Sequence, residues 1–554
     1  MKLFARSALA FAFVCWASAA LAQQTAAIAT AHPLATAAGY EILERGGNAF
    51  DAAVAAAAVL GVVEPYSSGL GGGGFWLLHR ARDGHETMVD ARETAPAGVK
   101  PEHYIDRSGK PIPGATRRGG LAVAIPGAAA ALAHVAARYG MLPLAESLAP
   151  AIRHARDGFR VDPRYARIAK LRERFLEDGA GTVIFLDGGR APEPGYVLRQ
   201  PALAATLERL AREGATAFYS GPIAQALVTA VNDAGGVWQL ADLEAYRVVE
   251  RPPIRFNYRG ATITAAALPS AGGIALAQSL GMLERFAPGA PDDPEYAHLV
   301  VEALRRVFHD RARHLGDNDF SPVPVARLLD PKYIAGRAAS IGRNKATPSE
   351  ALAREAPNRA ESRNTTHLSV IDEAGNRVAA TLTINLLFGS GIVAGDTGVL
   401  LNNEMDDFTV AEDVPNAFLL HGAKANAIAP RKRPLSSMTP AFVEDARGVL
   451  ILGSPGGSRI VSQVLLAILE HLHAPQVDLK RLLARPRYHH QYWPDRVEIE
   501  PDGFTPQWRD ALAAKGHALH VAKRKWGNMQ LVFKSREGGA QAESDPRGEG
   551  LAWY

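Results

Sequence analysis

Cysteine is almost absent from this 554-residue sequence, since the single one is Cys15. It lies within residues 1–22, which have the pattern of a removable targeting segment. A chain without that segment would contain no disulfide, no thiolate nucleophile and no cysteine-ligated metal. An exported protein of this kind must obtain its stability from a large hydrophobic core, and 47% hydrophobic residues are enough to build one.

The sequence also lacks, after its first residues, a hydrophobic run long enough to span a bilayer. The N-terminus has positive charges at Lys2 and Arg6, an apolar stretch over 8–19 that is too short to span, and a small-residue cleavage site ending at Ala22. This order is typical of a secretory signal peptide, so we predict a signal over residues 1–22. The predicted protein is periplasmic or secreted, with no membrane anchor after signal removal.

Charge of one sign is not in excess, because 61 Lys and Arg accompany 57 Asp and Glu, for a net charge of +4. The densest basic cluster, 431–433, has no aromatic platform beside it, so nucleic acid is not a predicted partner. Glycines 71–74 lack the Gly-Lys-Ser/Thr ending of a phosphate-binding loop. His489 and His490 are adjacent and would point to opposite faces of a strand, which makes them a poor chelating pair. The sequence therefore predicts neither a cofactor nor a metal.

Hydrophobic periodicity predicts the main elements. The segment 32–65 reads as two helices separated by Gly46 and Gly47, and the second is apolar on nearly all sides, which predicts burial. The polar stretch 341–364 has little apolar periodicity and is the best linker candidate. Other strands are predicted at 75–79, 120–126 and 260–268, and a long helix at 296–315.

Directly after this linker, the sequence predicts a β-hairpin whose first strand begins at Thr365. Apolar and polar residues alternate before and after a short loop at 373–375. With a loop of that length, Ile371 pairs with Arg377. Counting back along the ladder, Thr365 then lies opposite Thr383, with their Cβ atoms about 5 Å apart. A threonine at the end of a linker thus faces a second hydroxyl across the hairpin.

Blocks of sequence in a characteristic order extend from about His32 to the C-terminus. They are HPLATAAGYEILERGGNAFDAAVA, EPYSSGLGGGGF, DARETAP, AVAIPG, NTTHLSVID, TINLLFGSGIVAG, GVLLNNEMDDF, KRPLSSMTP, GSPGGSRI, RPRYHHQYWPD and SDPRGEG. Together they resemble the γ-glutamyltransferase family of N-terminal-nucleophile hydrolases. The resemblance implies an α/β fold, a four-layer α/β/β/α sandwich made from one precursor. It also implies cleavage between Asn364 and Thr365 into intertwined large (23–364) and small (365–554) subunits that form a heterodimer.

The resemblance and the chemistry of threonine both indicate a nucleophile at Thr365. A threonine hydroxyl is a poor nucleophile at neutral pH and needs a base. An N-terminal α-amine titrates near pH ~7.7–8.0, so cleavage would place a base within the same residue. By resemblance, Thr365 first attacks the carbonyl of Asn364, and Thr383 hydrogen-bonds its hydroxyl. Gly456 and Gly457, at a strand-to-helix turn, match the family's oxyanion hole.

A γ-glutamyl group carries a carboxylate and an ammonium on its α-carbon, so its pocket needs both a cation and anions. Arginine suits bidentate binding of a carboxylate, and Asp or Glu suits an ammonium. The residues that the resemblance assigns are Arg92, Ser436 and Ser437 for the carboxylate, and Glu404, Asp407 and Asn385 for the ammonium, with Asp406 as a neighbour.

Residues 414–430 resemble the active-site lid of bacterial family members. Phe418 falls where an aromatic side chain covers the bound glutamyl group. The family often has Tyr at this position, so a hydroxyl contact is lost here while the shielding function remains. Lids of this kind exclude water and control product release.

The resemblance implies glutathione and other γ-glutamyl compounds as donors, and water, amino acids or peptides as acceptors. Two alternatives stay open on the sequence alone: a related acylase that acts on cephalosporins or poly-γ-glutamate, and an exported amino-acid-binding protein that is not processed. A Ser-His-Asp site built on His367 with Ser436 or Ser458 is a minor third possibility, because neither serine lies in a GxSxG motif.

Overall fold

The computed structural model of the protein describes residues 25–176, 180–352, 365–411, 414–422 and 424–553. The predicted signal peptide and Asn364 lie outside the described residues. The helices are α1 (Pro33–Glu44), α2 (Ala49–Val63), α3 (Ala128–Tyr139), α4 (Leu144–Asp157), α5 (Pro163–Leu176), α6 (Ala180–Phe185), α7 (Pro201–Glu213), α8 (Thr216–Tyr219), α9 (Gly221–Asp233), α10 (Leu240–Ala245), α11 (Gly272–Leu283), α12 (Pro294–His314), α13 (Val325–Leu328), α14 (Pro331–Ala339), α15 (Arg459–His473), α16 (Leu479–Ala484) and α17 (Pro506–Ala514).

The strands follow the same chain order. They are β1 (Ala27–Thr30), β2 (Gly73–Arg80), β3 (His85–Ala91), β4 (Phe159–Arg160), β5 (Val197–Leu198), β6 (Val249–Arg251), β7 (Ile254–Tyr258), β8 (Ala261–Ala265), β9 (Thr366–Ile371), β10 (Arg377–Thr383), β11 (Ala441–Glu444), β12 (Gly448–Gly453), β13 (Tyr488–His489), β14 (Val497–Ile499), β15 (Leu519–Val521), β16 (Gln530–Ser535), β17 (Ala540–Ser544) and β18 (Leu551–Trp553).

Two long sheets form the centre of the molecule. One has the strand order β18-β1-β9-β10-β2-β3-β6 and the other β17-β16-β12-β11-β8-β7. Each sheet combines strands from before and after residue 365, as the prediction of intertwined segments requires. The hairpin β9–β10 lies inside the first sheet, with β1 on one side and β2 on the other.

The two sheets pack face to face through an apolar layer that includes Leu77, Phe442, Ile451 and Val532. Helix α2 covers the outer face of the first sheet, where it contacts β9 and β10. Helices α11, α12 and α15 share a second large cluster with the outer face of the other sheet. The predicted α/β/β/α sandwich is confirmed.

Helix α2 shows how strongly the local sequence specifies this architecture. The Asn48 side chain accepts hydrogen bonds from the N–H groups of Phe50 and Asp51, and Asp51 accepts one from the N–H of Asn48. This reciprocal capping box starts the helix. Its alanine- and valine-rich sides are buried almost throughout, as predicted. No helix in the described ranges is both long and apolar enough to cross a membrane.

The hairpin register predicted from the sequence is confirmed. Arg377 pairs with Ile371, and the ladder continues to the pair of Leu382 and Thr366. Thr365 is the next residue outward, opposite Thr383 in the same register. Because β10 also pairs with β2, the nucleophile candidate sits at the end of a ladder that is held on both sides.

The prediction of a strand at residues 120–126 is wrong. Residues Gly120–Ala122 form a 3-10 helix, and Ile125 only makes an isolated bridge with Thr94. A Cβ atom on Gly120 would lie 2.0 Å from the carbonyl oxygen of Val231. The glycine therefore serves the close packing of this turn against α9, a tertiary contact that hydrophobic alternation does not report.

The first half of the predicted linker is also better anchored than its polarity suggests. Thr347 donates hydrogen bonds to Glu302 from its N–H and its hydroxyl, and the N–H of Ser349 donates to Asp495. Thr347 and Ser349 thus bind carboxylates of the folded core and its edge, while Arg343, Asn344, Lys345 and Glu350 remain exposed. Residues 353–364, the other half, lie outside the described ranges.

The apolar layer between the sheets generates a stability prediction. Phe442 is fully buried there, so Phe442→Ala should cost about 3–5 kcal/mol of unfolding free energy through lost burial and a residual cavity. Phe320 is 48% exposed, and Phe320→Ala serves as the matched control with an expected cost below ~0.5 kcal/mol. Thermal unfolding of both variants checks this, and equal losses would contradict the assigned packing.

Candidate active site

One cavity brings together residues from widely separated parts of the sequence, from Arg92 to Ile460. Every sequence-predicted site residue that the structure describes lines it, except Gly456, which directly precedes the lining residue Gly457. The full lining is Arg92, Arg311, Thr365, Thr383, Asn385, Glu404, Asp407, Phe418, Leu420, Ser436, Ser437, Met438, Gly457, Ser458 and Ile460.

Thr365 is 4% exposed and directs its side chain toward this cavity. Its neighbour Thr366 donates its hydroxyl to Glu64 Oε2 at 2.9 Å, on the opposite face of the strand. Thr383 Oγ1 accepts the N–H of Asn385 at 2.8 Å, so its own hydroxyl hydrogen is directed elsewhere. The hairpin therefore presents two hydroxyls on one wall of the cavity.

Gly456 and Gly457 follow β12 and precede α15, as predicted. Their φ angles are +135° and +57°, values that favour glycine at both positions. A Cβ atom on Gly457 would lie 2.4 Å from Phe418 Cδ1. Their carbonyls accept the N–H groups of Arg459 and Ile460. In the described part of the chain, neither glycine N–H donates to a protein acceptor, so both can serve an oxyanion.

Arg92 is the most heavily engaged charge in the site. Its Nε donates to the carbonyl of Pro434 at 3.1 Å, Nη2 donates to Asp407 Oδ2 at 2.5 Å, and Nη1 donates to Glu404. The side chain of Arg92 is 1% exposed. Burial lowers its pKa, but the carboxylates of Glu404 and Asp407 outweigh burial, so the guanidinium remains charged.

The acids around Arg92 are more numerous than its charge can neutralise. Burial raises the pKa of Glu404 well above its usual value. Burial likewise raises the pKa of Glu93 to about 7, although Arg92 Nη1 lies 3.6 Å from its Oε2. The site thus holds acidic groups whose charge depends on what else occupies it.

Four cavity-lining side chains carry a buried polar atom without a hydrogen-bond partner among the described residues. Asn385 Oδ1 and Glu404 Oε2 are acceptors, Ser437 Oγ can donate or accept, and Arg311 Nε is a donor. Buried polar groups are normally satisfied, so this convergence on one cavity indicates a polar ligand. The pattern offers acceptors for a cation and donors for an anion.

Hydrogen bonds connect the turn around Phe418, in the predicted lid, to the acidic side of the cavity. Asn416 donates its side-chain amide to Asp407 Oδ1 at 2.9 Å, and its Oδ1 accepts the N–H groups of Phe418 and Leu420. The N–H of Ala417 donates to Asp406 Oδ2 at 2.8 Å. Asp406, a neighbour in the prediction, therefore holds the lid instead of lining the cavity.

Gln491 ties the same turn to the glycine loop. Its Oε1 accepts the hydroxyl of Ser458 at 2.5 Å and Nε2 of His489 at 2.8 Å. Its Nε2 donates to the carbonyls of Phe418 and Leu419 at 2.9 and 3.3 Å. One amide therefore connects the lid to the residue that follows Gly457.

The histidines do not build a metal site or a serine triad. No group of His, Cys, Asp and Glu in the described ranges could hold a metal ion. His489 contacts Ser462 and Gln491, while His490 contacts Asp495. His367 contacts Thr381 and Ser369, not Ser436 or Ser458, and burial lowers its pKa to about 3.

Two residues of the site escape the sequence reasoning. Arg311 is one of several charged residues on α12, and nothing in its local pattern separates it from a solvated helix face. Gln491 stands in the block RPRYHHQYWPD, where the paired histidines attract more attention than the amide. Both become visible only when the tertiary structure brings α12 and the 488–495 segment to the cavity.

The chain is similar to known proteins over most of its length. The chain matches a family model described as gamma-glutamyltranspeptidase over residues 35–554. A glutathione hydrolase proenzyme of Escherichia coli is 39% identical over 530 residues, which cover 94% of this chain and 90% of that protein. A crystal structure of a cephalosporin acylase from Bacillus halodurans has a TM-score of 0.83 at 28% identity and covers 96% of each chain. The crystal structure of the Helicobacter pylori gamma-glutamyltranspeptidase has a TM-score of 0.56 at 34% identity and covers 57% of this chain and 92% of that one.

The Gln491 contacts predict a change in lid dynamics. Gln491→Ala removes the donor to the two lid carbonyls, so residues 416–420 should exchange their amide hydrogens about 10-fold faster, equivalent to ~1.4 kcal/mol. Hydrogen exchange followed by mass spectrometry measures this. Gln225→Ala, an exposed position on α9, is the control and should leave lid exchange unchanged. Unaltered exchange in Gln491→Ala would show that the Gln491 amide does not stabilise residues 416–420.

The buried acid beside Arg92 predicts a pH effect on stability. Because burial raises the folded-state pKa of Glu93 to about 7, its ionisation destabilises the fold as pH rises above the unfolded-state value. Glu93→Gln cannot ionise, so its Tm relative to wild type should increase by about 1–3 °C between pH 5 and pH 8. The exposed Glu102→Gln variant should show a constant difference. A pH-independent difference for Glu93→Gln would disprove the assignment.

Proposed function

The chain belongs to the γ-glutamyltranspeptidase family and acts as a glutathione hydrolase and γ-glutamyltransferase. We propose here which residues carry out this reaction and what each of them does. The observation that carries the proposal is the meeting of Thr365, an arginine–carboxylate cluster and unsatisfied polar atoms in one cavity. The first component supplies a nucleophile, and the others fit an α-amino acid. A non-processing binding protein would need the pocket but not the hairpin threonine or the glycine loop.

Maturation begins with Thr365 in this proposal. Its hydroxyl attacks the carbonyl carbon of Asn364, the peptide nitrogen leaves as the α-amine of Thr365, and water hydrolyses the resulting ester. The bond between Asn364 and Thr365 is thereby broken, which gives subunits 23–364 and 365–554. Support comes from the burial of Thr365 beside Thr383 and from the proenzyme name of the Escherichia coli relative. The two pieces stay together as a heterodimer because both sheets contain strands of each.

The donor's α-carboxylate is assigned to Arg92, Ser436 and Ser437. Arg92 uses three of its five N–H groups on Pro434, Glu404 and Asp407, so two remain for a ligand. Ser437 Oγ has no partner among the described residues and is available as a further donor.

The donor's α-ammonium is assigned to Glu404, Asp407 and Asn385. Glu404 Oε2 and Asn385 Oδ1 are unsatisfied acceptors in the cavity. Burial raises the pKa of Glu404, and an ammonium at this position would favour the ionised carboxylate. Binding of the zwitterion would therefore complete the charges that surround Arg92.

Catalysis then follows in two steps. Thr365 Oγ attacks the donor's γ-carbonyl carbon, and the Thr365 α-amine accepts the hydroxyl proton and returns it to the leaving amine. The N–H groups of Gly456 and Gly457 stabilise the tetrahedral oxyanion, by about 3–4 kcal/mol per donor in comparable sites. Water or an acceptor amine next attacks the γ-glutamyl ester and releases Thr365. Phe418 covers the γ-glutamyl ester and limits the access of water to it before the acceptor binds.

The likeness to a cephalosporin acylase raises cephalosporins as a second donor class. The acids Glu404 and Asp407 favour a γ-glutamyl donor, because two buried carboxylates without an ammonium partner would be costly. We further propose export to the periplasm or medium, on the strength of the signal pattern at residues 1–22.

Intact-mass analysis with N-terminal sequencing tests the nucleophile. Wild type should give two pieces, the smaller beginning Thr-Thr-His-Leu, while Thr365→Ala should remain one chain and lose at least ~10³-fold of its activity on a γ-glutamyl anilide. Thr366→Ala is the matched control. Its hydroxyl is bound to Glu64 on the other face, so the variant should still be cleaved. An uncut, inactive wild type, or a cut Thr365→Ala, would disprove the mechanism.

A further inference from the structure

Arg311 is a buried cation that lines the cavity and forms no ion pair with any residue that the structure describes. The residue is 5% exposed, and its Nε lacks a hydrogen-bond partner. Among the described residues, no hydrogen bond or salt bridge involves any part of its guanidinium. Burial lowers its pKa to about 10, which still leaves it protonated at neutral pH.

The other arginines of the site and of α12 behave differently. Arg92 has three protein partners. Arg305 and Arg306, one to two turns earlier on α12, are equally buried, and both are paired with Glu302. A buried guanidinium is strongly disfavoured unless it is compensated, so Arg311 needs an anion that the described protein does not supply.

The surroundings of Arg311 define which anion fits. Asp407 raises its pKa and Arg92 lowers it, so both charges act on it across the cavity. Each carboxylate oxygen of Asp407 already accepts one hydrogen bond, Oδ2 from Arg92 Nη2 and Oδ1 from Asn416 Nδ2, and neither forms a salt bridge with Arg311. A compact anion in the cavity, beside Arg92 and clear of the acids, is the remaining partner.

We propose that Arg311 binds the donor's α-carboxylate as a second cation beside Arg92. This inference rests on the proposed function, since it assumes a ligand with an α-amino-acid end. Two guanidinium groups and two serine hydroxyls would then surround the carboxylate, while the acids receive the ammonium. The second cation makes the site select for donors that carry an α-carboxylate and offsets the excess of acids around Arg92.

Three small ligands separate the contact of Arg311 with the α-carboxylate from the contacts made by the α-ammonium. L-Glutamate has both α-groups, glutarate lacks the ammonium, and 4-aminobutyrate lacks the α-carboxylate. Their inhibition constants are measured against a γ-glutamyl anilide for wild type, Arg311→Met, Arg311→Lys and the control Arg313→Met, which alters an exposed arginine on the same helix. Intact mass first establishes that each variant is processed.

Arg311→Met should raise the inhibition constants of L-glutamate and glutarate at least 10-fold and change that of 4-aminobutyrate less than 2-fold. Arg311→Lys should recover part of the loss, because it restores charge without the planar fork. Arg313→Met should match wild type for all three ligands.

Two patterns would overturn the inference. Equal weakening of all three ligands would mean that Arg311 only maintains the structure. Weakening of L-glutamate and 4-aminobutyrate, but not glutarate, would mean that it acts through Asp407 on the ammonium. If Arg311→Met is not processed, Arg311→Lys decides: the inference predicts a partial rise in the constants of L-glutamate and glutarate alone, and unchanged constants contradict it. A wild type inactive on the anilide would instead refute the proposed function.

Discussion

The antiparallel pairing of β9 with β10 is the constraint on which the site depends. It sets Thr365 one position beyond the pair of Leu382 and Thr366, and it fixes which face of the strand Thr365 presents. A shift of one residue would turn Thr365 toward Glu64 and Thr366 toward the cavity. The flanking strands β1 and β2 prevent such a shift, because each must keep its own ladder with the hairpin.

Electrostatics dominate the rest of the cavity. Glu93, Glu404 and Asp407 surround a single guanidinium, that of Arg92, and burial raises the pKa of Glu93 and Glu404. A charged ligand in the cavity would therefore change the protonation of these acids. The lid shares these charges, since Asn416 binds Asp407 and Ala417 binds Asp406. Gln491 joins the other end of the lid to Ser458. Hydrogen bonds therefore link the acids of the cavity, the turn around Phe418 and the glycine loop.

Much of this arrangement could be predicted from the sequence. The hairpin register followed from alternation and loop length, and α2 followed from the boundary at Gly46 and Gly47 and from its apolar composition. The cavity residues found by resemblance lie together, and the family is confirmed by the comparisons. The roles assigned to those residues remain predictions, because no ligand contact tests them.

The failures have a common physical cause. Residues 120–126 have a strand-like pattern, but close packing of Gly120 against α9 decides their conformation. Polarity at 341–352 resembled solvation, yet Thr347 binds the buried carboxylate of Glu302 and Ser349 binds Asp495. Arg311 looks like an exposed helix charge until the fold encloses it. In each case the residues that decide the outcome are distant in sequence, so local patterns do not reveal it.

The mixing of strands from both sides of residue 365 affects the reversibility of folding. Cleavage at the proposed bond would convert one chain into two pieces, neither of which contains all the strands of either long sheet. Refolding would then require two molecules to meet and to form the β1–β9 and β10–β2 ladders between them, at a rate that falls with dilution. The durability of the mature enzyme would be governed by how slowly it unfolds, not by an equilibrium it can re-enter. Only the uncut precursor contains all strands of both long sheets in one chain and can fold without a second molecule. Maturation would therefore create the active site at the cost of the ability to refold.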